Sequence, residues 1–224
     1  MPAEPTDSAS PSNAAKAGFI RRSPGAIVAC VLVIVALTAL DLWSKQAVEQ
    51  QLSRAPSWDP PAVCATDEAG KLLGPQRIAT APYVIIEDYL ELHYAENCGA
   101  AFGFMRNQAP WLRSAVFVGA AIAAVIFLML RFLQTTGVRY LAWAVPLVVS
   151  GAIGNLVDRI RYGYVVDFIR AHWQYKYEYP TFNVADCGIT IGIVLLLMHS
   201  LFEESGDGSP SKKKAAAEEA GASS

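Results

Sequence analysis

Three aspartates, Asp158, Asp167 and Asp186, fall in the stretch 158–186, each among apolar residues and beside or between two long hydrophobic segments. A carboxylate at the edge of a membrane is costly unless it is paired, hydrated or used. Two carboxylates held together cannot both ionise easily, so one keeps its proton at a raised pKa while the other stays charged. Such a pair can hold a water, remove its proton as it attacks a carbonyl, and protonate the departing amine. That chemistry cuts a peptide bond and requires neither metal nor cofactor. The cysteines (Cys30, Cys64, Cys98, Cys187) and histidines (His93, His172, His199) are scattered, with no CxxC, no Cys/His cluster and no HExxH, so no metal site is expected.

Local surroundings divide the work among the three. Asp158 is followed by Arg159 and preceded by Asn155, which suits an anchored charge pair closing a helix. Asp167 lies in Val165-Val166-Asp167-Phe168 with Arg170 as the one nearby cation, so desolvation should raise its pKa. Asp186 comes three residues after Asn183, the spacing of a capping arrangement with Asn183 as N-cap and Asp186 at N3. A helix N-terminus also favours an ionised carboxylate there. A dyad of Asp167 as neutral acid and Asp186 as charged base follows. Which of them carries the shared proton stays open, because the two titrate as a unit.

The elements that must position these groups are membrane helices. The chain of 224 residues is 53% hydrophobic, with a mean hydropathy of +0.29, too apolar for an ordinary soluble domain. Its net charge of −2 suggests no nucleic-acid partner. Uncharged runs predict transmembrane helices at about 24–43, 110–132, 140–158 and 185–202. The uncharged runs are slightly short of the roughly 20 residues that span a bilayer, so the helices should extend into their polar flanks. Arg21-Arg22 before the first run would also fit a cleavable signal peptide, but no clear small-residue cleavage site follows. Residues 1–22 and 203–224 are expected to be disordered cytoplasmic tails.

The first helix should end at Asp41-Leu-Trp43-Ser44-Lys45, with Asp41 and Lys45 as an i,i+4 salt bridge beside an interfacial Trp. Adjacent helical residues point about 100° apart, which argues against a Ser44–Lys45 nucleophile pair. Residues 51–81 look like an irregular polar loop. Tyr83 to Tyr94 predicts one or two short strands outside the membrane, followed by a turn at Asn97-Cys98-Gly99. The aromatic segment His172 to Pro180 suits the headgroup region. Four helices place both termini on one side. Arg21, Arg22, Arg131, Arg139 and Lys212–Lys214 make that side cytoplasmic, against a dissenting Arg159, Arg161, Arg170 and Lys176.

Five blocks carry a resemblance: Asp41-x-x-x-Lys45, Asn97-x-Gly99-Ala-Ala-Phe102, Gly154-Asn155-x-x-Asp158-Arg159, Val165-Val166-Asp167-Phe168 and Phe182-Asn183-x-Ala185-Asp186. In this order, placed against four hydrophobic segments, they are similar to bacterial lipoprotein signal peptidase (signal peptidase II) over roughly 24–202. The resemblance implies a membrane all-α fold, a four-transmembrane-helix bundle with a small extracytoplasmic β-sheet (a cradle) drawn from about 46–108. It implies an aspartyl endopeptidase of the bacterial inner membrane, active at the periplasmic face, whose partners are diacylglyceryl-modified prolipoproteins and membrane lipid. The signal peptide would be cut on the N-terminal side of the lipidated cysteine, by a monomer without cofactor. Carried over by motif, the catalytic residues are Asp167 and Asp186. Asp41, Lys45, Asn97, Gly99, Asn155, Asp158, Arg159 and Asn183 hold substrate or support the dyad.

The chain departs from the family pattern in its long 51–81 loop, which carries Cys64. A Cys64–Cys98 disulfide would constrain the Asn97-x-Gly99 motif. Sequence separation says nothing about distance, and both thiols are expected to be free. The rival readings are a proton-coupled transporter and a non-catalytic scaffold. Acids gathered at one surface and the lack of an inverted repeat disfavour the transporter.

Overall fold

The computed structural model describes residues 22–69, 71–99, 105, 108–135 and 139–206. Both expected tails fall largely outside this range, as do Ala100 to Phe102 of the second motif. Helix α1 is Pro24–Leu52, α2 Pro110–Gln134, α3 Arg139–Tyr162 and α4 Val184–Gly206. Among the described residues, α1, α2 and α3 are long and apolar enough to cross a membrane, while α4 carries a shorter apolar stretch, Val184–Met198.

Helix α1 begins with Ser23 as N-cap, its side chain accepting from the Ala26 N–H, and Pro24 in the first turn. It runs nine residues past its expected end at 43. Lys45-Gln-Ala-Val-Glu-Gln-Gln-Leu52 are good helix formers, and Lys45, Val48 and Leu52 continue the inward stripe. It stops where Ser53 turns extended.

Helix α3 contacts all three other helices. Its apolar window is more than half buried and has a mean hydropathy of 1.5, against 2.6 for the lipid-ready α1. A buried membrane helix can carry the small and polar residues that a lipid-facing one cannot. Gly151 sits so close to α4 that a Cβ would strike the Ala185 carbonyl, and one on Gly154 would strike the Asp41 carboxylate of α1. These glycines bring α1, α3 and the start of α4 into contact at one level.

Beyond the helices lies a four-stranded antiparallel sheet whose strands pair in chain order. β3 is Tyr83–Ile86 and β4 Leu90–Asn97, matching the strands expected there. β5, Val165–Trp173, and β6, Tyr177–Glu178, were not anticipated. Tyr164, Val166 and Phe168 alternate onto a buried cluster with Val48, Cys64 and Tyr94, a period-two signal that the aspartate motif obscured. The aromatic segment expected in the headgroup region forms the exposed β5–β6 hairpin. The 51–81 loop is not wholly irregular either, since β1 (Ser53–Arg54) and β2 (Ile78–Ala79) pair antiparallel and close its base.

The expectation of free thiols at Cys64 and Cys98 is overturned. They form a disulfide, with Cα atoms 5.6 Å apart. The fold brings the loop over the end of β4, a proximity that no sequence separation could show.

Candidate active site

Sheet register builds half of the site. β4 and β5 pair with Ala95 opposite Asp167 and Asn97 opposite Val165. With side chains alternating along each strand, Ala95, Asn97 and Asp167 share a face. Asn97 Nδ2 accordingly donates to Asp167 Oδ2 at 2.8 Å. Helix α4 builds the other half. Asn183 Oδ1 accepts from the Asp186 N–H at 2.9 Å, and the Asn183 N–H donates to Asp186 Oδ2 at 3.3 Å. This is the reciprocal capping arrangement that the spacing predicts. Asn183 does more than cap: its Nδ2 also donates to Asp167 Oδ1 at 2.6 Å. One fully buried amide thus ties the two aspartates to each other.

Asn155 of α3 completes the shell. Its Nδ2 donates to Asp186 Oδ1 at 2.8 Å, and its Oδ1 accepts from Lys45 Nζ at 2.9 Å and from Asn183 Nδ2 at 3.1 Å. Two cationic or amide donors on Oδ1 turn the NH2 group toward Asp186. Lys45 lies beneath, paired with Asp41 Oδ2 at 2.8 Å and Asp158 Oδ2 at 3.1 Å. Asp41, Lys45, Asp158, Asp167 and Asn183 are all exposed by 2% or less. The expected Asp41–Lys45 pair is therefore present, but as the core of a buried charge cluster and not as a surface bridge. Asp41 also accepts the Ala185 N–H at 2.8 Å, holding the first turn of α4.

The expected Asp158–Arg159 charge pair is not the one that forms. Neighbouring residues of a helix diverge by about 100°. Asp158 turns inward to Lys45 and accepts the Val166 N–H at 3.1 Å, fixing the entry of β5. Arg159 turns to the cleft, donates to the Gly99 carbonyl at 3.2 Å and lies over the Phe117 ring. Gly99 in turn donates its N–H to Asn97 Oδ1 at 3.0 Å, so Asn97 is oriented from both ends. Arg170, the cation expected near Asp167, instead pairs with Glu91 at 2.8 Å and Glu178 at 2.6 Å.

Burial and then the neighbouring Asp186 push the Asp167 carboxyl up to about 7, against the lowering pull of Asn97, Asn183 and Lys45. Asp186 is half-buried and opens with Asp167 onto a cleft of about 530 Å³. Asn97, Asn155, Arg159 and the Tyr179–Phe182 segment also line this cleft, together with Leu72 of the long loop. Leu72 was not anticipated, since nothing in the Leu72-Leu73 pair of a polar loop signals a cleft wall. Among the described residues, no three His, Cys, Asp or Glu side chains are grouped to hold a metal ion. The site's donors are two carboxylates and the amides that orient them.

The signal peptidase (SPase) II family model matches residues 33–202. This chain belongs to the signal peptidase II family. A lipoprotein signal peptidase of Anaeromyxobacter sp. is 35% identical over 75% of this chain and 82% of its own length. Those of Clostridium tetani and Pseudomonas putida are 37% identical over 62% and 45% identical over 51% of this chain, covering 86% and 67% of the relatives. In fold, the chain is similar to a solved bacterial membrane enzyme at a TM-score of 0.60, with 24% identity over 82% of this chain and 93% of that one. The family is one of aspartic-type peptidases, so the chain is a membrane peptidase. The transporter reading finds no support in these comparisons.

Proposed function

We propose that this chain removes the signal peptide from diacylglyceryl-modified prolipoproteins, cutting on the N-terminal side of the lipidated cysteine with a water activated between Asp167 and Asp186. The observation that carries the proposal is the convergence of these two carboxylates, from β5 and α4, in one cleft, each oriented by asparagine amides. Asp186, the more open of the two, takes the proton of the attacking water. Asp167, kept neutral by burial, donates a hydrogen bond to the scissile carbonyl. As the tetrahedral intermediate collapses, the proton on Asp186 passes to the leaving amine. Lys45 and Arg159 moderate the negative charge of the site without touching the dyad oxygens.

The enzyme works as a monomer in the bacterial inner membrane, with four spans, both termini cytoplasmic and the cleft at the periplasmic face. The Cys64–Cys98 disulfide supports that side for the sheet, since disulfides persist in oxidising compartments. Two cations that dissent from this topology are engaged: Arg159, in the last turn of α3, on Gly99, and Arg170 of β5 on Glu91 and Glu178. Exposed Trp43, Trp173 and Tyr177 suit the membrane interface. The lipid chains of the substrate lie between helices, and its signal helix enters from the side.

The test is cleavage of a diacylglyceryl-modified prolipoprotein by purified protein in detergent, with and without chelator. Asp167→Asn and Asp186→Asn should fold, judged by thermal melting, and lose about a thousandfold or more of the rate. Chelator should leave the wild type active. A dyad variant that cuts at the wild-type rate would show that the catalytic pair lies elsewhere.

A further inference from the structure

The long loop between β1 and β2 is fastened to the cleft at several independent points. Cys64 is bonded to Cys98, 34 residues on. The Glu96 carboxylate accepts the N–H groups of Gln76 at 2.7 Å and Arg77 at 2.8 Å. Arg113, at the start of α2, donates to the Cys64 carbonyl at 3.0 Å. Cys64 itself is buried in the cluster under the sheet, and Leu72 reaches the cleft that holds both aspartates.

Cys98 is the residue between the two that orient each other. On one side Asn97 donates to Asp167; on the other Gly99 donates to Asn97 and accepts from Arg159. β4 ends at Asn97, so Cys98 and Gly99 lie beyond its ladder. Three ties then hold this segment against Asp167: the Asn97 amide, the Arg159 bond to Gly99, and the disulfide.

We infer that the long loop, through Leu72, forms a fixed wall of the substrate cleft, and that the Cys64–Cys98 disulfide is a positioning element that holds Asn97 on Asp167 and Leu72 against an apolar part of the substrate. The inference rests on the proposed peptidase function for its kinetic arm. The wall narrows which substrate side chains fit the cleft, and the bond couples that wall to the electrostatics of the dyad. Asn97's hydrogen bond favours the ionised form of Asp167. Loosening it therefore raises the pH at which Asp167 gives up its proton.

The experiment compares the oxidised wild type with three forms: wild type reduced by a phosphine, with the two extra thiols counted, Cys64→Ser, and Leu72→Ala. Substrate is a diacylglyceryl-modified prolipoprotein in detergent. Reduction and Cys64→Ser should each raise KM about 3- to 10-fold and move the alkaline limb of kcat upward by about one pH unit. Leu72→Ala should raise KM and leave the limb in place. A drop in melting temperature with KM and the limb unchanged would make the bond merely structural and overturn the inference. An unchanged KM in Leu72→Ala would overturn the wall. Infrared titration of the Asp167 carboxyl, assigned with Asp167→Asn, reads the tether without substrate. If the wild type cuts no lipidated substrate, the proposed function fails, while an equal Asp167 titration in oxidised and reduced protein would still overturn the tether.

Discussion

Replacing Asp167 with Asn should make the protein less stable than wild type in acid and more stable above neutrality. Burial and the Asp186 charge raise the Asp167 carboxyl from its ordinary 3.8 to about 7. Across that window the folded protein binds a proton that the unfolded chain has released. Stability therefore falls as pH rises through it. Below 3.8 both states hold the proton, and above about 7 neither does, so the full penalty stands there. Each pH unit is worth about 1.4 kcal/mol, which accumulates to about 4 kcal/mol by pH 8. Asn carries no such slope, but it has its own cost. Asp167 accepts from Asn183 on one oxygen and from Asn97 on the other. An amide keeps one acceptor and turns its NH2 toward the remaining donor, which costs about 1–3 kcal/mol at every pH. The variant should thus melt below wild type at pH 4 and above it at pH 8 by about 1–3 kcal/mol, a gain of several degrees. The two curves should cross between about pH 4.5 and 6. Melting in detergent at constant ionic strength, from pH 4 to 8, measures this directly. Asp186→Asn should flatten the wild-type slope, since it removes the charge that helps raise Asp167. A melting difference between Asp167→Asn and wild type that keeps its sign and size from pH 4 to 8 would refute the desolvated dyad.

Lys45→Met should destabilise by about 3–5 kcal/mol, because Asp41 and Asp158 would then be buried without their cation. Adding Asp158→Asn should recover part of that loss in the same melting assay. Gly154→Ala should cut activity by about a hundredfold and cost about 1–3 kcal/mol, since its Cβ displaces the Asp41 carboxylate that holds α4. Gly119→Ala, with open space around it, should stay within about 0.5 kcal/mol of wild type. The wild-type kcat should fall as pH rises through about 7, when Asp167 loses the proton it donates. Initial rates from pH 5 to 9 check this, and a flat profile to pH 9 would remove Asp167 as the acid.

Much of this architecture was legible along the chain. The apolar runs marked the helices to within a few residues, except at the end of α1, where a polar but strongly helical segment carried Lys45 onward. Asn183 and Asp186 were readable as a cap because a capping box is a local spacing. β5 is not legible as a strand, although Tyr164, Val166 and Phe168 alternate, because buried Val165 on the opposite face breaks the apolar–polar alternation. The partners of Asp158 and Arg159 are not legible along the chain, because neighbouring helical residues point about 100° apart and each meets a different element.

By itself, the sequence determined that this is a membrane protein, where its helices run, and which acids stand exposed to the cost of burial. These follow from composition and short periodicities, which depend only on neighbours along the chain. Only the tertiary structure decided who pairs with whom. Lys45 reaches Asn155, 110 residues away, because Gly154 on α3 lets α1 approach. Asn97 faces Asp167 because β4 and β5 take one register and not the next. Cys64 meets Cys98 because the loop is held down over the sheet. In each case the choice among polar partners is made where packing removes water, and that place is set by residues distant in the chain.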